Sequence, residues 1–436
     1  MLEGSIPRGC PLRSLPARLR LPIAIVLTLA AAVLVQAQVP IKVLDSGVGV
    51  AATPDITFDH ADQIVVSYQH GGQHALKLAR GSACIEIRTL YDLGYPGSYS
   101  SVVVDTLGLP NIVHYAYGDG PDGLRYTLDG GELFGLHTVP ITSACPGERP
   151  VFDLDSCDRP YAVYSLSPSL PPRMATFNVQ TGQWQSEIVP GPLSYAQVPA
   201  CLAVDSQDRP VIAYCDQPGN VIVATRDAGG WSFRAYSMGV PYVRGLALAF
   251  DTVDAPHVAV AVDNRIDVLR FGTLGVTTQT AVASGSFTVA PHGLAIDQAN
   301  RIRIVYPNGA NHSLYVAMNE FGWSSTLIEA GTVDFEAWAA VATDSRGYWA
   351  IVYYDNAHDL LKLAGPNVTP GPGDFDGDLD VDIDDFDAFT TCMGGPDVLV
   401  PPGGCGSTAF GMGDFDCDGD SDLADFAAFQ IAFTAP

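Results

Sequence analysis

Between Gly373 and Phe386 the chain reads GDFDGDLDVDIDDF, seven aspartates in fourteen residues with no basic side chain among them. A matching run, GDFDCDGDSDLADF, spans 413–426. Carboxylates at alternate positions repel one another, so a chain that keeps this arrangement twice has a use for a cation. Asp374, Asp376 and Asp378 take positions 1, 3 and 5 of a twelve-residue loop, with Asp380, Asp382 and Asp385 at 7, 9 and 12. Asp414, Asp416, Asp418, Asp420, Asp422 and Asp425 take the same places in the second run. Oxygen-only ligands at this spacing predict two Ca²⁺ sites. The first is expected to be weaker. Leu379 stands at its sixth position, where the second loop has Gly419 and a left-handed turn favours glycine.

Something must hold such loops open to an ion. After each run comes a short helical pattern, DDFDAFTTCM and then ADFAAFQIAF. Phe386 and Phe389 share one face of the first helix, and Phe426, Phe429 and Phe433 one face of the second. Two aspartate loops, each followed by a helix, resemble the EF-hand-like dockerin domain, in the phrasing of planctomycete-type C-termini. The resemblance covers 374–436 and implies two bound Ca²⁺ and docking to a cohesin-like or cell-surface protein partner. The twelfth ligand departs from the EF-hand glutamate, being aspartate in both loops.

Upstream, one unit recurs. Short apolar runs end in Asp59, Asp105, Asp155, Asp205, Asp251, Asp297 and Asp344, at intervals of 46 to 50 residues. Nine residues after each aspartate stands a tyrosine, except for His114 and Val260. Each unit carries four short β-branched or aromatic runs separated by Gly, Pro, Asn and Asp, the pattern of an antiparallel meander. The seventh unit stops at LLKLAG (360–365), one strand short, and the missing piece stands at the start as IKVLDSG, 41–47. A first strand that completes the last sheet closes a circle and removes exposed edges. The fold class is therefore mainly β, a seven-bladed β-propeller closed by an N-terminal strand, plus a small α-helical module. The repeats resemble the NHL- and BNR-like units of secreted bacterial propellers, which specify a fold rather than an activity.

The recurrent aspartate is expected to cap a turn. What varies between copies is more informative. If the aspartate-ending strand is innermost, Tyr99, Ser100, Arg149, Arg244, His292 and Trp338 crowd one mouth of the channel, a set suited to a small polar ligand or glycan. Two readings stand. One is a glycan- or protein-recognising module attached through its calcium domain; the alternative is a polysaccharide-acting glycoside hydrolase or lyase, as dockerins tether such enzymes. No Gly-x-Ser-x-Gly, His-Glu-x-x-His or phosphate-binding glycine loop is present.

Charge and ends set the context. The net charge is −26, and 374–436 hold fifteen Asp with no Lys, Arg or Glu. Such a chain has no electrostatic reason to bind nucleic acid or an anionic membrane. Arg8, Arg13, Arg18 and Arg20, the apolar run 21–35 and the small residues of VQA before Gln38 predict an export signal over 1–37. A secreted or periplasmic protein with no membrane span after signal removal is expected. The layout is then 1–37 signal, 38–364 propeller, 365–373 Pro/Gly linker and 374–436 calcium module. Export permits disulfides. Cys201 and Cys215, on consecutive strands, could pair across a hairpin, and Cys392 could pair with Cys405. Cys84, Cys145, Cys157 and Cys417 offer no partner by spacing.

Overall fold

The computed structural model describes residues 39–49, 53–82, 84–91, 95–117, 123–128, 150–165, 170–178, 181, 183–191, 199–216, 219–331, 339–368, 372–376 and 381–433. Residues 1–37, expected to be an export signal, and Arg149, Trp338, Asp378, Leu379 and Asp380 lie outside them.

Seven antiparallel sheets follow one another, six of four strands and one, the second, described with three. Their first strands are Asp55–Phe58, Tyr95–Val104, Val151–Leu154, Cys201–Val204, Gly245–Phe250, Leu294–Ile296 and Ala339–Thr343. Each lies against the first strand of the next sheet, and the seventh against the first, so the aspartate-ending strands form the inner ring. Closure comes from Ile41–Ser46, which pairs antiparallel with Leu360–Ala364 as the fourth strand of the seventh blade. This is a seven-bladed β-propeller, latched as the truncated last repeat predicts.

Each blade's second strand is covered on both faces by its neighbours, which is why it reads as a continuous apolar run rather than an alternating one. Every residue of Ile64–His70 and of Pro210–Cys215 is buried. Apolar packing is divided among seven clusters, one between each adjacent pair of blades. Leu44 and Val48 sit in the cluster shared by blades seven and one, and Ile41 in that of six and seven. Pro110, Pro160, Pro210 and Pro256 each open a second strand, where a missing N–H is tolerated.

The recurrent aspartates cap turns. Asp155 Oδ1 accepts from the amides of Cys157 and Arg159, each at 2.9 Å, and Asp205 Oδ1 from Gln207 and Arg209 at 3.0 and 2.9 Å. Three residues on, the turn needs a left-handed residue, filled by Asp62, Gly108, Asp158, Asp208, Asp254, Asn300 and Gly347 with φ between 58° and 83°. The five polar ones also clasp the preceding blade. Asp208 accepts from Ser156 N and Oγ at 2.8 and 2.9 Å, and Asp62 accepts from Ser345 N and Oγ at 2.8 and 2.7 Å. Thr106 and Ser206 make the same bonds to Asp158 and Asp254, while at Asn300 the side-chain amide donates to Thr252 Oγ1 and its Oδ1 accepts the Thr252 amide, each at 2.9 Å. Where the preceding blade has no hydroxyl there, at His60 and Gln298, the clasp position is glycine.

The closing blade is latched on both sides by one device. Lys77 lies opposite Tyr68 and Lys362 opposite Tyr353 in register. Tyr68 Oη and Lys77 Nζ donate to Asp45 Oδ2 at 2.7 and 2.9 Å, and Asp45 belongs to the closing strand. Tyr353 Oη and Lys362 Nζ donate to Glu329 at 2.6 Å each. Burial works against ionising Asp45, yet the Lys77 and Tyr68 bonds hold its carboxyl below the ordinary range.

His114, where five other blades carry tyrosine, is fully buried beside Thr127. Burial, then the Arg125 charge, pushes its imidazole from 6.5 down to about 3. The unfolded chain thus binds a proton that the folded chain refuses between those values, and stability falls as pH drops through that window. At 1.36 kcal/mol per pH unit the loss is about 3 kcal/mol at pH 4. His114→Tyr is expected to remove this component, read as the difference in urea midpoint between pH 7 and pH 4 for the two proteins.

One sequence expectation needs correction. Cys201 and Cys215 are unpaired and buried. Cys201 faces Ala213 in register, not Cys215, and both thiols sit in the apolar cluster between blades four and five. The start of the 365–373 segment packs on the propeller. Gly365 N donates to Pro40 O at 3.1 Å, and Val368 is buried in the cluster between blades seven and one. Among the described residues no helix is long and apolar enough to cross a membrane.

The C-terminal residues form three helices, α1 (Ile383–Cys392), α2 (Ser407–Gly413) and α3 (Leu423–Ala432). The predicted phenylalanine faces meet: Phe389 stacks on Phe429 at 4.6 Å between centroids, with Phe375 and Phe415 packed edge-on at equivalent places. The Cys392–Cys405 disulfide closes the segment between the loops.

Candidate functional sites

The first site lies where the chain enters the inner strands of blades one and two. Thr53 Oγ1 accepts the Tyr99 amide at 2.6 Å, and Ser100 Oγ bonds Ser67 Oγ at 3.0 Å. Tyr99 is left-handed, φ 53°, a conformation that costs a bulky residue about 1–2 kcal/mol. Such strain gathers at functional sites. Asp55, on the inner strand of blade one, accepts the amides of Ile56 and Val102 at 2.8 Å each. Its Oδ1 lies 3.3 Å from His292 Nδ1, and the His292 side chain is 19% exposed. His292 enters from blade six; its carbonyl accepts the Val341 amide of blade seven at 2.9 Å. Three blades therefore converge on one carboxylate. Burial raises the Asp55 pKa, with the His292 charge acting against it.

With Nδ1 turned to Asp55, Nε2 is the ring nitrogen facing away from the carboxylate. A proton held on Nδ1 would leave Nε2 able to accept a hydrogen bond. Asp55 thus meets His292 on one side and the Val102 amide on the other, while Thr53, two residues earlier, bonds Tyr99 and Ser100. Arg244 takes a different partner: its guanidinium lies 3.0 Å from Asp263 of its own blade. Asp55 is the residue that sequence reasoning missed. The signal was present, since the other six blades have Ser101, Val151, Cys201, Ala247, Gly293 or Ala340 at that place. Asp153, on the inner strand of blade three, is pushed up to about 6 by burial, and it accepts the Val204 amide of blade four at 2.7 Å.

The second site is the pair of aspartate loops. Asp374, Asp376 and Asp385 bring ligand oxygens within 4.8 Å of one another. In the second loop Asp414, Asp416 and Asp418 form one such group, and Asp420, Asp422 and Asp425 another. The last carboxylate ties each loop to its helix. Asp385 accepts from Phe375, Asp376 and Asp382 amides at 2.6, 3.1 and 2.9 Å. Asp425 repeats this with Phe415, Asp416 and Asp422 at 2.6, 3.3 and 2.7 Å. Asp382 and Asp422 cap α1 and α3, each in a capping box with the acid three residues on. The second loop wraps its first ligand, Asp414, whose oxygens accept Asp418 N and Gly419 N at 3.1 Å each.

The donor set fits a hard cation. Asp420 is buried and its Oδ1 has no hydrogen-bond partner, an unmet charge in a wall of carboxylates. Burial, and after it the neighbouring acids, raises the Asp414, Asp416 and Asp420 pKa values.

No protein-family model matches the chain, and no curated protein matches it. Solved structures do. The chain is similar to AofleA from Arthrobotrys oligospora, at 11% identity and TM-score 0.45 over 67% of this chain and 91% of that one. It is similar to the six-bladed fucose-recognising lectin of Aleuria aurantia, at 12% identity and TM-score 0.45 over 66% and 99%. A polysaccharide lyase of family PL25, an ulvan lyase, aligns at 11% identity and TM-score 0.46 over 74% and 95%. At these scores ligand and activity are matters for this chain's own residues.

Proposed function

We propose that this is an exported protein whose propeller mouth binds a glycan and whose C-terminal module, loaded with two Ca²⁺, attaches it to a cohesin-like or cell-surface partner. The observation that carries the glycan reading is the convergence of His292, Asp55, Thr53, Tyr99 and Ser100 at one end of the inner ring. The part-exposed His292 imidazole and Tyr99, held from behind by buried Asp55, Thr53 and Ser100, offer a polyol an oriented hydrogen-bonding group and a stacking face. The calcium reading rests on the two matched loops and on the orphaned Asp420 oxygen. Export rests on the pattern of 1–37.

A glycan array probed with the intact chain tests the first part. Binding is expected to fall at least tenfold in His292→Ala. No bound glycan, or equal binding by the variant, overturns the reading. The Asp55–His292 contact favours one second reading, a polysaccharide-acting hydrolase or lyase with His292 Nε2 as proton acceptor. Product release from any bound polysaccharide, lost in Asp55→Asn through the altered tautomer, would establish it.

A further inference from the structure

Cys84 and Cys417 form a disulfide, Cα atoms 6.1 Å apart across a sequence separation of 333. Cys84 lies in the turn between Ala75–Gly81 and Ile85–Tyr91, the third and fourth strands of blade one. Cys417 stands at position 4 of the second aspartate loop, between Asp416 and Asp418, with φ 59°. We infer that this bond fixes the C-terminal module to the propeller and pre-organises the second calcium loop, so that cation affinity there and the bond's resistance to reduction are linked. The inference rests on the calcium reading above and adds a coupling to it.

Three observations carry the inference. The module is held at two points. Val368 is anchored in the core between blades seven and one, and Cys417 is anchored on blade one. Next, the bond enters the loop among its ligands. The amides of Asp418 and Gly419, the two residues after Cys417, already embrace Asp414. Holding Cys417 removes conformations that the loop would otherwise lose on closing around an ion. The first loop has Gly377 at this position and no means of making the bond. Last, in an up-and-down sheet the turn between third and fourth strands lies at the same end as the turn between first and second. That is the end of the aspartate clasps and opposite the mouth at Tyr99 and His292, so the module occupies the far face and leaves the mouth uncovered.

Linkage is reciprocal. If the bond favours the ion, the ion protects the bond. Calcium titrations of the intact chain by calorimetry are expected to show two sites in the wild type. In Cys84→Ser one site weakens about tenfold and the other stays within twofold. Because Cys84→Ser also changes a turn of blade one, a second measurement uses the wild type alone. Dithiothreitol donates two electrons and two protons to the bond and leaves as its cyclic disulfide. Alkylation mapping then follows the appearance of Cys84 and Cys417 thiols with Ca²⁺ or with a chelator present. Reduction at least tenfold slower with Ca²⁺ supports the coupling. Unchanged affinities in a folded Cys84→Ser together with equal reduction rates overturn it while leaving the calcium reading in place. No calcium uptake by the wild type overturns both.

Discussion

A chain lacking residues 39–46 is expected to lose its cooperative thermal transition and to aggregate on expression. These residues supply the fourth strand of blade seven, and without them Leu360–Ala364 becomes an open edge. The loss is not confined to one blade. Ile41 leaves the core of blades six and seven, and Leu44 that of seven and one. Asp45 takes with it the partner of Lys77 and Tyr68, and the Lys77 side chain is only 9% exposed. A point substitution isolates that last contribution. Lys77→Met leaves Asp45 largely buried without its cation and is expected to cost about 3 kcal/mol, the scale of breaking a buried ion pair. Urea denaturation of the full chain measures it, and an unchanged midpoint would show that the latch is ornamental. Replacing Asp45 and Lys77 together by Asn and Met is expected to recover part of the loss, because no lone charge then remains.

Asp425→Ala has the second large effect. Asp425 is fully buried, receives three amides, and joins the entry of α3 to the start of its loop. Removing it orphans those donors and takes away a ligand at once. Hydrogen bonds to a charged acceptor contribute about 1.5–3 kcal/mol each, so a destabilisation of the module of about 3 kcal/mol or more is expected. The propeller is expected to keep its own transition, since its cores lie between blades. In the wild type, calcium at a thousand times its dissociation constant should stabilise the module by about 4 kcal/mol, and a chelator should withdraw that gain. Calorimetry of wild type and variant, with calcium and with chelator, separates the two contributions. Equal thermograms for all four samples would contradict the assignment.

The architecture was legible because a closed ring repeats its demands. Each inner strand ends at the same turn, so aspartate, proline and tyrosine recur at fixed offsets, and a missing last strand points to its substitute at the other end. The clasps were legible in principle. A hydroxyl one residue after the aspartate is answered in the next blade by Asp or Asn, and its absence by glycine. That correspondence runs between neighbouring copies and escapes an alignment read one column at a time. The mouth was legible only in part. His292, Tyr99 and Ser100 depart from the repeat, whereas Asp55, which meets His292, reads as one more acid in an acidic chain. Pairing of cysteines was illegible for a physical reason. Cys201 and Cys215 are near in sequence but out of register across their strands, while Cys84 and Cys417 meet across a sequence separation of 333.

The central claim is that the crowded carboxylates of the C-terminal module are a pair of cation cages built into a closed propeller. Native mass spectrometry of the intact, oxidised chain in calcium tests it most directly. Two calcium ions per wild-type molecule, one in Asp425→Ala and none after chelation are the predicted counts. A wild type that carries no calcium above the level of a chelated control would contradict it.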